Sequence, residues 1–351
     1  MPEQISGIAE VAVLGLTARR WHGRDRIPLM PLHPQCKAII DGIAASGARP
    51  IHELSVSEAR AQFAAGAEAR IALAGPAQEV ARIENRLING PVRSTPIRVY
   101  WPSDEKDLPV LVYFHGGGWV LGGLELVDRP CRALANAAQC IVVSVDYGLA
   151  PEHKFPQPAE EAYQAVEYVT SHAQNLGADP NRIAIGGDSA GANLATVVTL
   201  MSRDRNGPPL AFQLLAYPAT DYDDDRPSLR EHDGIFISVA GLRWFWGNYL
   251  GRPEDGQNPY ASPLKAERLQ GLPSAMVITA ECDPLRDQGE AYAHKLAEAG
   301  VAVTLKRYDG AMHAFFLMAG AIDAGKAAVA DAAEALRNAF EDASARAAKA
   351  T

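Results

Sequence analysis

The apolar positions change period several times along the chain, and each change marks an element. Ile39, Ile40 and Ile43 recur at helical spacing between Gln35 and about Gly47, and 58–69 reads as a second helix with Ser55 and Ser57 as candidate caps. Residues 82–88 and 97–101, joined through Asn89-Gly90, read as an antiparallel hairpin. The runs 109–114 and 141–145 are short and unbroken in apolar character, the pattern of strands buried on both faces. Helical patterns follow at 131–138 and 160–172, then an apolar run at 183–185 leads through a tight turn into a helix at 192–201. Further strands are expected at 210–217 and 275–279. Residues 301–308 alternate as an outer strand, and 325–348 is an alanine-rich helix. Strands alternating with helices predict the α/β class, a mostly parallel central sheet with helices on both faces.

Two regions fall outside that alternation. The helices before residue 75 fit no sheet pattern, so 1–75 is expected to contribute cap helices, while 76–351 forms the core. Residues 1–30 carry little pattern, and Pro28, Pro31 and Pro34 mark a linker. Between Pro218 and Ser274 the alternation lapses again. An insert at about 219–255 holds Phe236, Trp244, Phe245, Trp246 and Tyr249. It is expected to form a lid, with one face packed on the core and the other lining an apolar pocket.

Composition narrows the class. At 351 residues, with 48% hydrophobic and 21% charged positions, the chain is an ordinary globular sequence too long for one simple core. A formal charge of −9 argues against general affinity for nucleic acid or anionic membranes. No apolar run has the length of a membrane span. The apolar stretch 8–16 is followed, not preceded, by Arg19 and Arg20, the wrong order for a secretory signal. Cys36, Cys131, Cys140 and Cys282 are scattered without zinc spacing, so reduced thiols, a cytoplasmic location and no metal are expected.

The chemistry centres on Gly187-Asp-Ser-Ala-Gly191. A bare G-x-S-x-G is a weak signal. Placed between a strand and a helix, it marks a nucleophile elbow, with Ser189 at the sharp turn. A serine nucleophile needs a base, an orienting acid and donors for an oxyanion. Chain order in such folds places acid and then histidine after the nucleophile, on loops following late strands. Asp283 and His313 meet that rule. Glu281 and Asp287 compete as acids, but Pro284 turns the chain directly after Asp283, and Asp287 suits a helix start. His294 falls in a helix, while His115 and His153 precede the serine. Oxyanion donors are expected from the backbone of Gly117 and Gly118, in His115-Gly-Gly-Gly-Trp119, and of Ala190. Trp119, Asp188, Tyr217 and Phe236 are expected against the substrate.

These motifs resemble those of the bacterial hormone-sensitive-lipase-like esterases of the α/β-hydrolase fold. The matching stretches are H-G-G-G-W at 115–119, D-Y-G-L-A-P-E-H-K-F-P at 146–156, G-D-S-A-G at 187–191 and D-P-L-R-D-Q-G at 283–289. The resemblance implies a carboxylesterase with Ser189, Asp283 and His313 as its triad, no cofactor, and a cap made of the N-terminal helices and the insert after Pro218. The sequence departs from the family at Gly148, where Arg is usual, at Ala192, where a third Gly is common, and at Gln288, where Glu is common. The expected function is a carboxylic ester hydrolase acting on small-molecule short- to medium-chain acyl or aryl esters. An amidase or formamidase-type hydrolase and a non-catalytic binding protein are the alternatives. The outer strand near 301–308 makes a homodimer a further expectation.

Overall fold

A computed structural model describes residues 32–91 and 93–350. Eight strands form one sheet in the order β1-β2-β4-β3-β5-β6-β7-β8. They are β1 (Arg82–Asn89), β2 (Ser94–Trp101), β3 (Leu108–Phe114), β4 (Ile141–Val145), β5 (Ala178–Asp188), β6 (Phe212–Ala216), β7 (Ser274–Cys282) and β8 (Val303–Met312). β1 pairs antiparallel with β2, and β2 antiparallel with β4; every later neighbour is parallel. The hairpin and the mostly parallel sheet therefore stand where the hydrophobic pattern put them. β7 and β8 run three and four residues beyond the expected ends at 279 and 308, so they stop at Cys282 and Met312.

The helices are α1 (Pro34–Ala45), α2 (Val56–Ala65), α3 (Ala67–Ala74), α4 (Asp128–Ala138), α5 (Gln157–Ser171), α6 (Ala173–Leu176), α7 (Ala190–Asp204), α8 (Pro227–Glu231), α9 (Val239–Tyr249), α10 (Arg286–Glu298) and α11 (Asp323–Ala350). β3 is buried along its whole length and feeds both layers. Val110, Val112 and Phe114 pack with α5 and α7, whereas Leu111 and Tyr113 pack with α4 and α11. A continuous apolar strand is what such two-sided burial requires.

The stretch expected as one helix over 58–69 is two. Ser55 caps α2 with a capping box, its Oγ accepting from the Glu58 N–H while the Glu58 carboxylate accepts from Ser55 N–H. Gly66 then separates α2 from α3, in keeping with the weak helical preference of glycine. α2 is hooked to the core by Arg60. Its guanidinium donates to the Val120 and Ala150 carbonyls at 3.2 and 2.9 Å and pairs through both ends with Glu152 at 2.7 Å. The insert between β6 and β7 carries α8 and α9, and the Trp244 Nε1–H of α9 donates to the Leu54 carbonyl just before α2. Among the described residues no helix is long and apolar enough to cross a membrane. Residues 1–30, expected to carry little pattern, lie outside the described residues.

Candidate active site

Parallel strands bring their carboxyl ends to one edge of the sheet, and ligand sites form there. Phe114 of β3 pairs with Gly187 of β5, so the loop Gly116–Gly118 and the turn at Ser189 leave adjacent strands side by side. Cys282 of β7 pairs with Met312 of β8, which puts Asp283 and His313 next to each other at the same edge.

The turn at Ser189 is as tight as its sequence implies. Ser189 has φ 54° and ψ −117°, an unusual backbone for a residue with a side chain, and its N–H donates to Ala216 at 2.9 Å. A Cβ on Gly187 would collide with the backbone of Gly191 and with the Phe114 carbonyl, and one on Gly191 with the same carbonyl. Only glycine lets α7 start this close to two strand ends. Strained backbone of this kind clusters at functional sites.

His313 links the other two groups. Its Nε2 lies 3.0 Å from Ser189 Oγ, and its Nδ1 lies 2.7 Å from Asp283 Oδ2. An ionised Asp283 is acceptor-only, so Nδ1–H donates to it and Nε2 is left to accept the serine proton. Asp283 is fully buried, and its other oxygen accepts from Leu285 N–H at 2.8 Å. His294 and His153 take no part in this chain of hydrogen bonds. Asp287 turns instead to Ser228 N–H and to Arg286. Glu281 accepts from Gly310 N–H.

The glycine loop is held open by its surroundings. Gly117 and Gly118 have φ 113° and 61°, and their N–H groups donate to no protein acceptor among the described residues. The N–H of Ala190, first residue of α7, has no partner within its own helix. His115, fully buried, donates from Nδ1 to the Gly116 carbonyl at 2.7 Å and stacks on Tyr147. Burial pushes its pKa down, so it is a neutral structural group.

Three of the four side chains expected against the substrate, Trp119, Asp188 and Tyr217, are buried. Asp188 is 2% exposed and accepts from Gly116 N–H at 3.0 Å and from the Tyr113 hydroxyl at 3.1 Å. Its carboxylate fixes the glycine loop to the serine turn. Burial pushes its pKa up to about 6 against the pull of Tyr113, Gly116 and His313. Trp119 is stacked on Tyr249 at 4.2 Å and tilted against Trp246, beneath the cap. Tyr217 is packed behind His313, ring to ring at 4.7 Å. Phe236 differs: it is 37% exposed, with its ring 6.3 Å from that of His313.

Two further residues join the insert to the sheet edge. Phe245 of α9 lies directly against Gly118. Arg286, quoted above within D-P-L-R-D, is 7% exposed and ties the segment after Asp283 to His232 and Glu231 of the insert. Among the described residues no group of three or more His, Cys, Asp or Glu is arranged to hold a metal ion.

Fold and site together are those of an α/β hydrolase. Residues 111–317 match the α/β-hydrolase fold family. The chain is 42% identical over 268 residues to the esterase LipI of Mycobacterium tuberculosis, covering 75% of this chain and 83% of that protein. It is 36% identical over 320 residues to an ethyl acetate hydrolase of Pseudomonas putida, covering 88% and 99%. The structure of a hyperthermophilic esterase from the archaeon Pyrobaculum calidifontis superposes with a TM-score of 0.84 at 40% identity, covering 88% of this chain and 99% of that one. The chain belongs to the α/β-hydrolase fold family, among its hormone-sensitive-lipase-like esterases. It is a carboxylic ester hydrolase.

Proposed function

We propose that this esterase works through an acyl-enzyme formed on Ser189. Ser189 Oγ attacks the ester carbonyl while His313 Nε2 takes its proton, and Asp283 holds the imidazole and steadies its positive charge. The N–H groups of Gly117, Gly118 and Ala190 receive the oxyanion. The C–O bond to the alcohol then breaks, and the departing oxygen takes the proton back from His313. Water, activated by the same histidine, releases the acid. The observation that carries this reading is the unbroken run Ser189–His313–Asp283 at 3.0 and 2.7 Å.

The substrates are small esters with short to medium acyl chains or aryl groups. The resemblance to a protein named ethyl acetate hydrolase supports the short end of that range. Replacing Ser189 by Ala should lower kcat by on the order of 10⁶ and abolish labelling by a fluorophosphonate. Ester hydrolysis surviving in that variant would overturn the assignment.

Four buried cysteine side chains fit a reducing, cytoplasmic setting. β8 ends the sheet, with Thr304 and Arg307 exposed, which supports pairing of two copies along that edge. A single monomeric species in sedimentation would remove the homodimer.

A further inference from the structure

The turn that carries Phe236 is unlike the rest of the cap. Ile237 N–H donates to the Ile235 carbonyl at 2.8 Å, closing a γ-turn around Phe236, whose φ is 63°. That is the rare and strained hand of the γ-turn, and an aromatic residue there needs neighbours that hold it. Gly234 N–H donates to the Ile237 carbonyl at 3.2 Å, and Val239 N–H donates to Asp233 Oδ1 at 2.8 Å. Upstream, Ile235 N–H donates to the His232 carbonyl at 3.1 Å.

His232 is where this turn meets the triad. It is 3% exposed, and its Nε2 accepts from Arg286 Nη1 at 2.8 Å. Arg286 also donates from Nη1 to the Glu281 carbonyl, from Nη2 to Glu231 Oε2 and from Nε to Asp287 Oδ1, while its N–H donates to the Asp283 carbonyl. Ser228 completes the seam: its Oγ donates to the Pro284 carbonyl, and its N–H donates to Asp287. One buried guanidinium thus joins the loop of Asp283 to the segment leading into Phe236. The charged groups facing His232 are Arg286, Glu231, Asp283 and Asp287. Burial first, then Arg286, pushes the His232 pKa down, which keeps the ring neutral and able to accept.

The side of the substrate that Phe236 meets follows from proton balance. In acylation the departing oxygen must take its proton from His313 Nε2, so the alcohol half of the ester lies against the imidazole, while the carbonyl oxygen points to the glycine loop. Two aromatic rings flank His313. Tyr217 is buried behind it, and Phe236 is on the open side. Resting on the acyl-enzyme reading above, we propose that Phe236 sets selectivity for the alcohol half of the ester, and that Arg286 and His232 are positioning residues that hold it over His313.

Two ester series separate the halves: acetates of ethanol, benzyl alcohol and tert-butanol, and p-nitrophenyl esters of acetate, butanoate and hexanoate. Phe236→Gly suits the 63° backbone and removes the whole side chain; Phe236→Ala, the second variant, removes only the ring. Both should raise kcat/KM for the bulky-alcohol acetates relative to ethyl acetate by about tenfold. The ratios within the acyl series should stay within about twofold. His232→Leu should move the alcohol ratio the same way, and His232→Gln, which keeps an acceptor, should restore it. A residue that only supports the fold would lower all rates and the Tm together and shift no ratio. The proposal is overturned if the alcohol ratio is unmoved, if the acyl ratio moves instead, or if His232→Leu lowers Tm without changing selectivity. A wild-type protein that hydrolyses none of these esters, with Ser189 unlabelled by fluorophosphonate, overturns the acyl-enzyme reading as well; an active wild type with immobile ratios overturns this one alone.

Discussion

Gly118 and Phe245 touch so closely that a Cβ on Gly118 would enter the Phe245 ring. The loop proposed to hold the oxyanion and the cap helix α9 are therefore a single packed unit. Gly118→Ala should force either the loop or α9 to move, and φ 61° resists the substitution besides. We expect kcat to fall by about 10² to 10³, the cost of losing one oxyanion donor. Steady-state kinetics alongside a thermal melt will check it, since a Tm loss without a kcat loss would contradict this coupling.

Asp188 predicts opposite signs for stability and rate. Its pKa is raised to about 6 by burial, from an ordinary 3.8. The unfolded chain therefore gives up this proton first, and stability falls as pH rises from about 4 to about 6. Asp188→Asn keeps an acceptor for Gly116 and Tyr113 but removes the buried charge. Its Tm should match or exceed that of the wild type at pH 8. Its kcat should fall about tenfold, because a carboxylate that attracts the imidazolium on His313 is gone. The fall in activity of the wild type below pH 6 should be shallower in the variant.

Gln288 stands where the family commonly has Glu, and its neighbours show what the amide does here. Its Oε1 accepts from the Thr220 and Asp221 N–H groups, and its Nε2 donates to Asp224 Oδ2 at 3.0 Å. Gln288→Glu would set two buried carboxylates against each other, costing about 2 kcal/mol. The loss in Tm should be larger at pH 8 than at pH 5, where a protonated Glu donates as the amide does. Equal losses at both values would refute the charge argument.

Arg93 bears on a second departure, at Gly148. Gly148 has no side chain to meet the buried Glu161, and a Cβ there would sit 2.7 Å from the His153 ring. Arg93, from the hairpin, lies 3.5 Å from Glu161 and donates to the Asp146 carbonyl at 2.7 Å. Glu161 also accepts from Gly148 N–H at 2.7 Å. Arg93→Ala should destabilise the protein by about 1–3 kcal/mol, read by urea unfolding, since it takes the cation from a buried carboxylate.

The sheet was legible because its signals are local, and so was the meeting of Ser189, His313 and Asp283 at one edge. Strand, turn and helix around Ser189 lie in one short stretch, and the glycines that admit the turn are part of the motif. Asp283 and His313 each follow directly on a strand end. The surroundings of the other expected site residues depend on what packs over them. Nothing near Trp119 in sequence says that Tyr249, 130 positions away, covers it. Asp188 sits beside Ser189 in sequence, yet its carboxylate turns inward to Gly116. Arg286 looks like one more charge on a helix start until His232 and Glu231 arrive from the insert.

The Arg60 hook bears on how such enzymes can be recombined. Its acceptors, the Val120 and Ala150 carbonyls and Glu152, lie on two core loops, one of them the continuation of Gly117–Gly118. A chimera that takes its N-terminal helices from a relative and its core from this chain would graft a new hook onto old eyes. The heritable module is then the N-terminal helices together with those two loops, and crossovers that part them should yield folded sheets with misplaced glycine loops.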